Sequence, residues 1–273
     1  MLWLKRRRRR RLAEKHFPPE WLRILECNVG YFRLLPEEDR QELQRHILVF
    51  IAEKRFEGCG GLEITDEIRV TIAAQACILL LHRKTDYYPS LRSVLVYPQA
   101  YLARQATYLG GGVTVEGLHV RLGESWRRGS VVLSWDDVQK GASDIHDGQN
   151  VVFHEFAHQL DSSGGKGDGS AVLQSRSRYI AWARVLRRDY EQLRGKAIRN
   201  LPTLLNKYGA GNPAEFFAVA TECFFERPIE LREQHTELYA KLKEFYHQDP
   251  AHVFQNSRNN TRRTRDGSEG CET

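Results

Sequence analysis

Val151-Val152-Phe153-His154-Glu155-Phe156-Ala157-His158-Gln159-Leu160 is the stretch around which the rest of the chain is organised. Two histidines four positions apart lie on one face of a helix, so both imidazoles reach a single ion. With the glutamate after the first histidine they form H-E-x-x-H, a pattern in which zinc polarises a carbonyl and lowers the pKa of its bound water to about 7. The glutamate takes that water's proton. In this chain His154 and His158 would be metal ligands and Glu155 the base. Three apolar residues precede the motif and Phe156 and Leu160 flank it, so the helix reads as buried. Two histidines and a carboxylate buried without a partner are costly, which favours a metal over a chance pattern on a surface helix.

A chain of 273 residues can bury a full core, and one domain spanning 16–255 is the simplest division, with tails over 1–15 and 256–273. The net charge of +6 suggests a nucleic-acid partner until its source is located: Lys5 and Arg6–Arg11 supply seven positive charges, leaving the remainder at −1. The folded body therefore offers no phosphate-binding face, and no nucleic-acid partner is expected for it. The basic run reads as a disordered, solvated tail, with electrostatic attachment to anionic lipid or RNA as the weaker alternative. No long apolar stretch follows it, so neither a signal peptide nor a membrane span is expected, and the location expected is the cytosol. Five scattered cysteines without a C-x-x-C fit reduced thiols.

Periodicity predicts a mainly helical chain with a small mixed sheet just before the histidine helix, an α+β arrangement. Helices are expected over Glu20–Cys27, from Pro36 to Gly58, from Thr65 to about His82, over Tyr179–Leu193, from Asn212 to Glu226, and from Ile229 to Tyr246. Strands are expected at Ser93–Tyr97, Val113–Val115, His119–Leu122 and Ser130–Trp135. Ser130–Trp135 is either an edge strand that pairs with a peptide backbone beside the metal helix or an ordinary internal strand. Asp161–Ser170 has the composition of a flexible loop, and the chain beyond Asn256 that of a disordered end.

A catalytic zinc takes three protein ligands and keeps one open position. The metzincin solution fails here, because Asp161 and Gly164 stand where a glycine and a third histidine belong. Two glutamates on the Asn212–Glu226 helix are the candidates, Glu215 and Glu222. Glu215 also suits the third helical position of a capping box opened by Asn212, and Glu222 also suits a solvated charge. Asp161 opposes the helix macrodipole at the end of the histidine helix, which suggests a role orienting a ligand imidazole; a plain loop carboxylate is the alternative. His119 and His146 read as structural or surface groups.

His154-Glu155-Phe156-Ala157-His158-Gln159-Leu160-Asp161, together with Tyr208 and Asn212-Pro213-Ala214-Glu215-Phe216-Phe217-Ala218, resembles the zinc peptidases of the Mlc titration factor A family. More distantly it is similar to the catalytic domain of lethal-factor type metallopeptidases. Gly61-Leu62-Glu63-Ile64-Thr65 and Gly123-Glu124-Ser125-Trp126 support the likeness, which runs from about Phe17 to Pro250. The resemblance implies a zincin-like domain holding one zinc, Glu215 as third ligand, and Tyr208 lining the active site. It also implies a cytosolic peptidase with aminopeptidase-like action on peptide substrates, and, in some members, binding of the transcriptional repressor Mlc. A phenol placed there can donate a hydrogen bond to an oxygen on which negative charge develops.

Overall fold

Among the residues described by the computed structural model, 2–99, 104–108, 114–118, 129–162 and 176–257, helices dominate. The N-terminal half runs α1 (Leu2–Ala13), α2 (Pro19–Asn28), α3 (Gly30–Leu34), α4 (Glu37–Glu53), β1 (Arg55–Gly58), α5 (Asp66–Ile78), β2 (Ser93–Tyr97), β3 (Arg104–Tyr108) and β4 (Thr114–Leu118). The second half runs β5 (Ser130–Ser134), α6 (Trp135–Ser143), α7 (Val151–Ser162), α8 (Arg176–Ile198), a 3-10 turn (Lys207–Ala210), α9 (Pro213–Glu226), α10 (Pro228–Gln234) and α11 (Thr236–Tyr246). Residues 250–257 form a last helical stretch. None of the helices among the described residues is long and apolar enough to cross a membrane.

The helix expected to reach Gly58 stops at Glu53. Lys54 turns extended, its buried ammonium donates to the carbonyls of Tyr88 and Leu91 at 2.8 Å each, and Arg55–Gly58 leaves as β1. Pairing decides this. Arg55–Gly58 lies in register with Ser93–Val96 of β2, a ladder that helical spacing alone does not reveal. Gly58 is required there, because a Cβ on it would lie 1.8 Å from the Leu62 carbonyl oxygen.

The sheet is parallel rather than mixed, in the order β1-β2-β5. Its strands are separated by crossover segments, α5 lying between β1 and β2, and that connectivity suits parallel pairing. The antiparallel component is a separate pair, β3 with β4. Among the described residues β5 is an edge strand, but Trp135 does not belong to it: Ser134 Oγ accepts from Asp137 N at 3.3 Å and starts α6. The strand expected at His119–Leu122 and the loop from 163 to 170 lie outside the described residues. The single helix expected after Ile229 is broken at His235, whose Nδ1 pairs with Asp189 Oδ1 at 2.7 Å.

The basic segment is not a disordered tail. It forms α1 and packs on α4, where Arg9 forks onto Glu53 with bonds of 2.8 and 2.7 Å, bonds to Asp86, and lies over the Tyr87 ring. One arginine with two carboxylate partners supplies what composition hides, a specific anchor inside a run of like charges.

Below the sheet, α5, α7 and α9 form the centre of the core. Phe153 and Phe156 of α7 and Phe216, Phe217, Phe224 and Phe225 of α9 are almost completely buried. α7 packs against both α5 and α9, which carries the histidines of one helix to the carboxylates of another.

Candidate metal centre

Asn150 fixes the start of α7. Its Oδ1 accepts from Phe153 N at 2.9 Å, satisfying a donor that the first helical turn leaves open. Its side-chain amide lies within hydrogen-bond distance of Gln75 Oε1 (2.8 Å), Gly141 O (3.0 Å) and Glu226 Oε1 (3.1 Å). One residue thus ties α7 to α5, α6 and α9. A Cβ on Gly141 would approach Asn150 to 3.1 Å, so the close passage depends on the glycine.

One turn on, His154 and His158 face the N-terminal end of α9. The Nε2 atoms of the two rings are 3.2 Å apart, and Glu215 Oε2 lies 3.0 Å from that of His154 and 3.4 Å from that of His158. An ion bound tetrahedrally at about 2.0–2.1 Å spaces its donors by roughly 3.3–3.4 Å, so these separations fit zinc. Two imidazole nitrogens and one carboxylate oxygen make a donor set that zinc commonly takes, and the residues present fit the ion. Asn212 does cap α9, its Oδ1 accepting from Ala214 N and Glu215 N, but the Glu215 carboxylate points to the histidines. Burial works against its charge, yet hydrogen bonds from both histidines outweigh it and hold the carboxyl well below the usual range.

Glu222 is not a solvated charge. It is 7% exposed; Oε1 lies 2.6 Å from His154 Nδ1 and Oε2 accepts from Asn150 N at 2.7 Å. Seven residues separate it from Glu215, close to two turns, so α9 offers two carboxylates on one face and His154 lies between them. A carboxylate on the far nitrogen of a ligand histidine fixes the ring's tautomer and direction. For Asp161 the sequence suggests the same task, with a plain loop carboxylate as the alternative. Asp161 lies on α7 rather than in a loop and is buried. The seven-residue spacing of Glu215 and Glu222 was the available signal.

Glu155 is 1% exposed and its Oε2 has no hydrogen-bond partner among the described residues. Burial pushes its carboxyl up to about 8, His154 pulls it down, and the charges of Glu215 and Glu222 add to the rise. Raised in this way, Glu155 is a stronger base than an exposed carboxylate, and in its ionised form Oε2 offers a free oxygen to a proton. Tyr208 is on the 3-10 turn, started by Asn206 Oδ1 accepting from its backbone N at 3.0 Å. Its ring centroid is 5.9 Å from that of His154; burial and then the charge of Glu215 raise its phenol well above the ordinary value, so it remains a hydrogen-bond donor. The exposed imidazole of His146 lies against Phe254. His119 is outside the described residues.

Comparison with known proteins agrees with this chemistry. The model of the glucose-regulated metallo-peptidase M90 family matches residues 3–247, a span that includes most of α1. The chain is 42% identical over 244 residues to an uncharacterized protein of Synechocystis sp., covering 89% of each. It is 30% identical over 223 residues to Mlc titration factor A of Serratia proteamaculans, covering 80% of this chain and 84% of the relative. Mlc titration factor A of Yersinia pestis is 28% identical over 226 residues, covering 82% and 83%. The family match extends over nearly the whole chain and its relatives align across most of their length: this chain belongs to the glucose-regulated metallo-peptidase M90 family.

Proposed function

We propose that the chain is a zincin-like, gluzincin-type peptidase holding one zinc through His154, His158 and Glu215, with aminopeptidase-like action on peptides. The observation that carries this reading is the convergence of those three side chains beside the buried Glu155, whose Oε2 has no hydrogen-bond partner among the described residues. When bound there, zinc would polarise the scissile carbonyl and acidify a water. Glu155 takes the proton of the attacking water on its free Oε2 and passes it to the leaving amine. Tyr208 donates a hydrogen bond to the former carbonyl oxygen as its charge grows. Glu222 holds the His154 ring through Nδ1, so Nε2 stays directed at the shared point. The free, buried Cys77 and Cys223 suit a reducing compartment, and the proposed location is the cytosol.

The name of the relatives, Mlc titration factor A, supports a second reading, in which this chain titrates Mlc and hydrolysis is secondary. A binder needs no base with a free oxygen, and Glu155 Oε2 has no hydrogen-bond partner among the described residues. Metal content and hydrolysis of amino-acid and peptide chromogenic substrates, wild type against Glu155→Gln, test the proposal. One zinc per chain with hydrolysis lost in the variant supports the peptidase; a zinc-free active protein, or full hydrolysis by Glu155→Gln, overturns it.

A further inference from the structure

Helix α1 carries a charged surface for which the peptidase reading has no use. Its inner face is accounted for: Lys5 pairs with Asp86 at 3.1 Å, Arg9 grips Glu53, and Leu12 and Ala13 pack on the core. At about 100° per residue the opposite face presents Trp3, Leu4, Arg7 and Arg11, with Arg8 and Arg10 on its flanks. All six are exposed, and Trp3 at 66% and Leu4 at 62% are the most exposed large apolar side chains described. Among the described residues none of Arg7, Arg8 and Arg11 has a carboxylate within ion-pair distance. Arg10 reaches Glu14 only at 3.9 Å, with both side chains mostly in water, and such a contact holds little. Arg7 lies over the Trp3 ring, its guanidinium carbon 5.4 Å from the centroid, so cation and aromatic share one side of the helix.

We propose that α1 is a docking surface for an anionic lipid bilayer, with Arg7, Arg8, Arg10 and Arg11 on the phosphates and Trp3 and Leu4 in the headgroup–acyl boundary. Two independent features select this occupant. The arginines need a dense array of negative charge, and the exposed tryptophan and leucine beside them need an apolar layer at the same surface. A nucleic acid supplies the first and leaves Leu4 in water. The anchoring of α1 on α4 means the surface is already formed before contact, so little ordering is lost on docking.

The full chain is sedimented with vesicles of phosphatidylglycerol and phosphatidylcholine, and with phosphatidylcholine alone. Binding is expected to the anionic vesicles only, and to fall at high salt. Each arginine near such a surface contributes roughly fivefold, so Arg7→Gln with Arg11→Gln should weaken partitioning by roughly 25-fold. Trp3→Ala with Leu4→Ala should weaken it more than about tenfold, since two apolar side chains stay in water. These outward-facing positions leave the Arg9 anchor intact, so melting and zinc content should match the wild type. Equal binding to phosphatidylcholine alone, or undiminished binding by either double variant, overturns the proposal. A duplex DNA or RNA oligonucleotide that binds with the same arginine dependence, while vesicles do not, overturns it too.

Discussion

His154–His158–Glu215 and Asp39–Glu42–His82 each bring three donor atoms within 4.8 Å of one another, yet one lies buried between α7 and α9 and the other at the surface between α4 and the end of α11. In the surface cluster the single imidazole is shared out: Nε2 pairs with Asp39 Oδ1 at 2.7 Å, Nδ1 with the His247 carbonyl at 3.1 Å. Glu42 Oε1 accepts from the His82 backbone N at 2.9 Å and lies 3.2 Å from His46 Nε2. Both partners are acceptors, so both ring nitrogens donate and the imidazolium form of His82 satisfies this arrangement. In the buried cluster two Nε2 atoms face each other at 3.2 Å across one carboxylate oxygen, and Glu155 Oε2 has no hydrogen-bond partner among the described residues. A proton between the rings can serve one pair of atoms, whereas a divalent ion can serve three. Proximity of histidine and carboxylate therefore does not mark a metal site; convergence of several lone pairs on one dry point does.

That contrast is broken most directly by removing its centre. Glu215→Ala or His154→Ala should abolish stoichiometric zinc, while His82→Asn should keep one zinc per chain, measured by metal analysis of purified protein. Two zincs per chain in the wild type, or metal loss following His82, would show that both clusters bind. Glu155→Gln should retain zinc and a normal melting profile yet lose kcat by orders of magnitude, because the residue is assigned to proton transfer and not to coordination. Tyr208→Phe should lose roughly 100-fold or more in kcat with KM much less altered, the usual cost of one donor to a developing oxyanion. A change confined to KM would reduce Tyr208 to uniform binding.

A smaller effect sharpens the comparison from the far side of His154. Glu222→Gln keeps the shape but removes the charge on Nδ1, and zinc affinity by competitive chelation should fall roughly 10- to 100-fold, with the stoichiometry at saturation unchanged. Asp161→Asn, measured alongside, tests whether the buried Asp161 shares the orienting role: a fall of the same size shows that it does, and an unchanged affinity leaves the role to Glu222. A fall for Asp161→Asn alone would assign the orienting role to Asp161.

What could be read in the sequence follows the range of the forces involved. Helices with a strong local signal were legible: Thr65 caps α5 by accepting from Ile68 N at 3.3 Å, and Asn212-Pro213 opens α9. H-E-x-x-H was legible because four residues suffice to put two histidines on one face. β1 was not, since Arg55–Gly58 is a strand only through partners almost forty residues later. Nor was the docking of α1, because seven consecutive basic residues give no hint that Arg9 alone finds Glu53 and Asp86. Glu222 illustrates the same limit inside the site: spacing placed it on the face of Glu215, but its bond to His154 depends on how α7 and α9 cross.

The surface cluster yields the smallest effect and the cleanest sign. Burial works against the His82 charge, but the hydrogen bond to Asp39, the His247 carbonyl and the negative charges of Asp39 and Glu42 outweigh it, so its pKa lies above the ordinary 6.5. With the folded value raised, the stabilising contribution is fully present below about pH 6.5 and disappears as pH rises through the folded pKa. His82 is 40% exposed, so solvent screening limits the contribution to on the order of half a kcal/mol. For a chain of this size that is about 1–2 °C in Tm. His82→Asn is the suitable variant, because the backbone there has φ of 60° and asparagine tolerates the left-handed region. Wild type should melt above His82→Asn at pH 6, and the two should converge by pH 9. Lys54, which burial lowers to about 8, titrates in both proteins and cancels in the difference. A gap of the same size at both pH values would mean that His82 acts through packing and uncharged hydrogen bonds, and the imidazolium account of this cluster would fall.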